Sequence, residues 1–174
     1  TRPVQTWNPI KINFQHLWLL IKDAWRTKSL RDKFRIWLMP TGWRPADVAE
    51  IYPTPKITDV YHFEKYDTKA SPGLHAWSWF QITTSLLFVS YLFGNIALIN
   101  KLNSGYIYLY GVFVFISVYA FTDLMDRNRY AIAWESIKNI MGLCIIAYTG
   151  DWFGINQWQP GLSYVLVAYF MDFV

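Results

Sequence analysis

The chain has 174 residues, of which 53% are hydrophobic, 20% aromatic and only 16% charged, with a formal net charge of +4 at pH 7. An ordinary soluble domain carries about 25% charged residues, so this balance argues against one and for a membrane protein. The single cysteine, Cys144, excludes a disulfide framework within the chain.

The N-terminal run "TRPVQTWNPIKINFQHLWLL" has no initiating methionine and no basic, apolar and small-residue order of a secretory signal. It reads as the middle of a longer chain. Phe14, Leu17, Trp18, Ile21 and Trp25 fall at helical spacing and predict one amphipathic helix; Leu30, Phe34, Trp37 and Leu38 predict a second, studded by Arg31, Lys33 and Arg35. Neither is long or apolar enough to span a bilayer. Residues 1 to 44 hold nine Lys or Arg against Asp23 and Asp32, a local balance of +7, while the rest of the chain sums to −3. Basic, Trp-rich amphipathic helices lie in the headgroup region of membranes, which makes Trp18, Trp25 and Trp37 candidate interfacial anchors. Packing of the same faces on protein is the alternative. Nucleic acid is not an expected partner, because these helices lead directly into spanning segments.

Residues 39 to 73 contain Pro40, Pro45, Pro53, Pro55 and Pro72 and read as an extended connector. Its Tyr61, Phe63 and Tyr66 predict that it packs over other structure. The chain therefore divides into interfacial helices and connector over 1–73 and a transmembrane helical region over 74–174.

No charge occurs for 31 residues between Lys69 and Lys101, nor for 21 residues between Lys101 and Asp123. About 20 apolar residues cross a hydrocarbon core, so each stretch holds one spanning helix. From Asn139 to Met171 the sole charge is Asp151, within a Gly, Asn and Pro cluster that reads as a connection between two further helices. The expectation is an all-α integral membrane protein with about four transmembrane helices, near 74–100, 105–122, 129–148 and 160–174. The last, opened by Pro160, is too short for a full crossing and is either buried in protein or cut. Positive-inside counting places residues 1–69 on the cytoplasmic side and Lys101 and Asp151 opposite.

Chemistry-bearing residues are sparse. Glu135 and Lys138 lie three apart in an apolar helix, where a charge costs about 2.5 to 3.5 kcal/mol at the centre, so they should lie near the interface or face protein. They read as a structural pair, the alternative being the lining of a lipid cavity. Cys144 reads as a small core residue. His16, His62 and His75 match neither HxxH nor HxxxH spacing. Asp123, Asp126 and Asn128 are candidate caps for the helix that follows; the two aspartates could hold a cation but read better as part of a solvated turn with Arg127 and Arg129. Residue spacing assigns no catalytic, cofactor-binding or metal-ligating residue.

Several runs, in order, resemble the sterol desaturase and fatty acid hydroxylase superfamily, most of all its alkylglycerol monooxygenase-like branch. "TRPVQTWNPIKINFQHLW" is similar to the segment after the catalytic core, with its T-x-P and P-I-K, and "RDKFRIWLMPTGWRPAD" to the basic helix and turn that follow. "LHAWSWFQITTSLLF" is similar to the next membrane helix, and "FTDLMDRNRYAIAWESIKNIM" to a D-x-R-x-x-A-x-x-x-E stretch. The resemblance implies a lipid oxygenase or desaturase with a di-iron centre on histidine clusters, reduced by a pterin in the monooxygenase branch. Those clusters lie upstream of the matching segment, so no iron ligand transfers to this chain. The chain is then expected to be the non-catalytic C-terminal membrane region of such an enzyme, its helices walling the lipid-entry side. Its partners would be membrane lipids and the missing catalytic half or other membrane subunits. The alternative is a structural or lipid-binding subunit of a larger membrane complex.

Overall fold

The structure is a computed structural model that describes residues 3–55, 57, 59 and 61–171. It divides into two compact units, Thr1–Asp67 and Thr68–Val174.

In the N-terminal unit, α1 (Pro9–Arg26) starts where Asn8 accepts hydrogen bonds from the N–H groups of Ile10 and Lys11, at 3.0 and 3.3 Å. Pro9 suits this position because the first helical N–H has no intrahelical partner. α2 (Leu30–Arg35) is capped by Ser29, whose hydroxyl accepts from Asp32 N–H at 3.3 Å. It ends sooner than its apolar pattern predicts: Trp37 and Leu38 fall in the turn that follows, where Leu38 N–H reaches back only three residues, to Arg35. Pro40 then prevents continuation. The expected extended connector contains a helix, α3 (Ala46–Ile51). Pro45 immediately precedes it, a place where the missing N–H costs nothing, and Pro53 lies just beyond its end. Tyr61 is 96% exposed, against the expectation that it packs.

α1 and α3 are tied together by polar groups. The guanidinium of Arg44 donates to both carboxylate oxygens of Asp23, at 2.5 and 2.9 Å, and to the Tyr52 carbonyl at 2.7 Å. Asp23 is fully buried. The hydrogen bond from Arg44 to Asp23 outweighs desolvation and holds the guanidinium pKa above its ordinary value. Asp47 accepts from the Thr27 hydroxyl and from Lys28 N–H, and these bonds, the Lys28 one foremost, hold its carboxyl below the usual range.

The C-terminal unit is all-helical among the described residues. The expected single helix over 74–100 is two: α4 (Pro72–Gly94), capped by Ser71, and α5 (Ile96–Leu102), turned by 73°. Gly94 and Asn95 are poor helix formers, and Asn95 leaves helical geometry while its amide donates to the Tyr91 carbonyl. α6 (Tyr106–Met125) and α7 (Ala131–Thr149) are each long and apolar enough to cross a membrane, and α4 with α5 makes a third candidate if the bent pair is one span. After the short α8 (Ile155–Trp158), α9 (Leu162–Met171) has ten residues, about 15 Å, half the thickness of a hydrocarbon core. Pro160 and Gly161 form the turn before α9. Asp172 and Val174, part of the expected last helix, lie outside the described residues. Among the described residues two helices, or three if the bent pair counts as one, are thus long and apolar enough to cross a membrane, where about four were expected.

α6 packs on α4 and α7, and α9 on α7. Their shared core is aromatic: Phe88, Tyr110, Phe113, Trp152, Phe153 and Phe170 are buried together. Phe113 meets the edge of Trp152 at 4.7 Å between ring centres and that of Phe88 at 5.2 Å. Trp152 and Phe153 come from the loop after α7. They turn inward because Gly150, Phe153 and Gly154 all adopt positive φ. Asp151 fixes this loop by accepting from the Ser163 hydroxyl at 2.6 Å and from Asn156 N–H. Cys144, expected in a core, is exposed on the outer side of α7. Asp123, expected in a solvated turn, is fully buried at the end of α6, with the Asn128 amide 3.3 Å from its carboxylate. Asn128 accepts from Tyr130 N–H just before α7.

Candidate functional site

One polar cluster stands inside the apolar C-terminal unit. The i, i+3 spacing of Glu135 and Lys138 brings both to one face of α7, where Lys138 Nζ lies 2.5 Å from Glu135 Oε2. Opposite them α4 supplies Gln81 and α9 supplies Tyr169. Lys138 Nζ donates to Gln81 Oε1 at 3.2 Å and to the Tyr169 hydroxyl at 3.4 Å. Tyr169 donates to Gln81 Oε1 at 2.8 Å, and Gln81 Nε2 donates to Glu135 Oε2 at 3.2 Å. Gln81 and Lys138 are almost completely buried. The ammonium therefore faces protein, one of the two placements expected.

The cluster is closed on one side and open on the other. All three ammonium donors are engaged, so Lys138 offers no free lone pair for nucleophilic chemistry. In contrast, Glu135 Oε1, Asn139 Oδ1 and Trp77 Nε1 are buried and have no hydrogen-bond partner among the described residues. Glu135 and Asn139 lie one turn apart on α7, so two acceptors flank the same stretch of helix. The arrangement neutralises a charge pair and ties α4, α7 and α9 together through hydrogen bonds. Gln81 and Tyr169 were not singled out from sequence. Gln81 had a signal, being a large amide in an uncharged run, but nothing local says that it meets α7.

The other candidates stay apart. His16 and His75 are exposed, on α1 and in the first turn of α4, and exposed His62 sits with Nδ1 2.7 Å from Asp59 Oδ2. Asp59 is held below its usual range, chiefly by that contact. Among the described residues no three His, Cys, Asp or Glu side chains converge as a metal site would require. Trp18, Trp25 and Trp37 are all exposed, at 57, 86 and 49%. A mostly apolar cavity of about 520 Å³ lies at the α4–α5 bend, lined by Thr84, Leu87, Tyr91, Trp152, Ile155 and Leu166 among others.

No family model matches the chain, and no solved structure matches it. Among curated proteins it is similar to alkylglycerol monooxygenase from Homo sapiens, 23% identical over 149 residues. That match takes in 85% of this chain and 33% of the human protein, so the chain spans about a third of the length of the relative it matches.

Proposed function

We propose that this chain is a membrane-embedded, non-catalytic region of a lipid oxygenase of the alkylglycerol monooxygenase type, following a histidine-bearing di-iron core carried elsewhere in the protein. The observation that carries the reading is the match itself, which takes in most of this chain but only a third of its relative. Support comes from helices long and apolar enough to cross a membrane and from a polar cluster that ties α4, α7 and α9 together. In this reading residues 1–69 face the cytoplasm, Trp18, Trp25 and Trp37 sit at headgroup depth, and Lys101 and Asp151 face the opposite side. The second reading, a lipid-binding subunit of a larger membrane complex, is favoured by the apolar cavity at the α4–α5 bend.

Iron and activity separate the two. The product of the complete gene, purified in detergent, should hold iron and oxidise an alkyl lipid, whereas the 174-residue chain loaded with ferrous iron and desalted should retain well under one iron per chain. One or two tightly held irons on the chain alone would overturn the proposal. So would a complete gene product without histidine clusters, which would leave the subunit reading.

A further inference from the structure

We propose that a cleft in the N-terminal unit, between α1 and the segment after α3, binds the phosphate of an anionic phospholipid through Lys22 and Arg26. The proposal rests on the membrane placement above and is independent of the oxygenase relationship.

The cleft measures about 430 Å³, and its lining includes Trp18, Lys22, Arg26, Arg44, Tyr52 and Pro53 but, among the described residues, no carboxylate. Lys22 and Arg26 lie one turn apart on α1, a spacing at which like charges repel. No carboxylate pairs with either among the described residues. Each is instead steadied by an aromatic face: Lys22 Nζ lies 5.4 Å from the Trp18 ring centre and the Arg26 guanidinium 4.0 Å from that of Tyr52. Arg44 adds no free charge, since Asp23 neutralises it, but it fixes both walls by bonding to Asp23 on α1 and to the Tyr52 carbonyl. The result is a prebuilt cleft lined by two cations that have no carboxylate partner among the described residues.

What kind of anion follows from the surroundings. Phe14, Leu17, Trp18, Ile21 and Trp25 are all exposed on the same helix, so the cations are bordered by apolar surface that a free phosphate or nucleotide would leave wet. A phospholipid satisfies both, its phosphodiester between Lys22 and Arg26 and its glycerol and chains along the aromatic stripe. The same chain carries helices long and apolar enough to cross a membrane, so a bilayer surface is the anionic partner at hand.

The test uses the full 174-residue chain, purified in mild detergent, stripped of lipid and titrated with phosphatidylglycerol or phosphatidylcholine, with bound lipid counted by native mass spectrometry. Phosphatidylglycerol should bind more tightly. The single variants Lys22→Gln and Arg26→Gln should each weaken it about 5-fold, and the double variant about 25-fold, on the scale of one surface cation each. Lys28→Gln with Lys33→Gln, which removes the same charge outside the cleft, should leave the preference nearly intact, with unchanged helical circular dichroism in every variant. The proposal is overturned by equal binding of the two lipids, by equal losses in the two double variants, or by displacement of phosphatidylglycerol by inorganic phosphate at similar concentration. Failure of the chain to insert into lipid vesicles would instead defeat the membrane placement, and this proposal with it.

Discussion

Among the described residues of the N-terminal unit the buried side chains are half polar, Asn8, Asp23 and Thr27, and half apolar, Ile36, Pro45 and Val48, while Phe14, Trp18, Trp25, Leu30, Phe34 and Leu38 stand exposed. In the C-terminal unit a continuous aromatic core from Phe88 to Phe170 is buried, and Gln81, Glu135, Lys138 and Tyr169 form a bonded polar cluster in the same unit. The difference teaches what each unit expects around it. The N-terminal unit ties its parts together through the buried Asp23–Arg44 pair and leaves the apolar stripe of α1 exposed, the arrangement on which the proposed headgroup placement rests. Helices surrounded by hydrocarbon gain little from hiding apolar groups, so close packing and a few polar clamps must choose their partners.

Both units contain a buried ion pair, and cutting each one probes this comparison most strongly. Lys138→Met strands the Glu135 carboxylate against apolar helices and should cost about 3–5 kcal/mol, with most of it recovered when Glu135→Gln is added. Thermal unfolding in detergent reads this. A loss within error for the single variant would mean that solvent reaches the clamp. Arg44→Met strands the fully buried Asp23 carboxylate in the same way and should likewise cost about 3–5 kcal/mol. Limited proteolysis should then cut around Pro53 while α6 and α7 stay protected, and loss of protection throughout would erase the distinction between the units.

Packing alone should matter next. A β-carbon on Gly142 would lie 2.6 Å from the Phe170 ring, so Gly142→Ala should wedge α7 from α9 at a cost of about 1–3 kcal/mol, relieved by trimming Phe170→Leu. Additivity of the two substitutions would show that the helices do not meet there.

The smallest effect is a pH dependence confined to the N-terminal unit. The folded pKa of Asp47 is lowered, so the bonds it accepts from Lys28 and Thr27 contribute fully above its unfolded value, near pH 3.9. That contribution should fade as the pH falls through the lower folded value. The Lys28 amide chemical shift should follow this titration and be flat in Asp47→Asn; a midpoint above 4 would contradict it.

Much of the helix pattern was legible because it is written in short-range terms. The apolar stripe of α1 and the uncharged runs that hold α4 and most of α6 follow from local periodicity and hydropathy. α3 escaped notice because six residues between two prolines carry no period, and the break at Asn95 because the run stays apolar across it. Cys144 was misplaced because α7 is apolar nearly all round, so hydropathy cannot say which face is inward.

By itself, then, the sequence determined a helical chain with a basic amphipathic start and membrane-length apolar helices, since charge and hydrophobic spacing act over one or two turns. Only the tertiary structure decided that Glu135 and Lys138 meet Gln81 and Tyr169, that Trp152 and Phe153 fold back into the core, and that Asp123 is buried. Those pairings join residues 31 to 88 positions apart and depend on which faces of the helices approach, a choice made by shape and by the cost of leaving a polar group unpaired in an apolar interior.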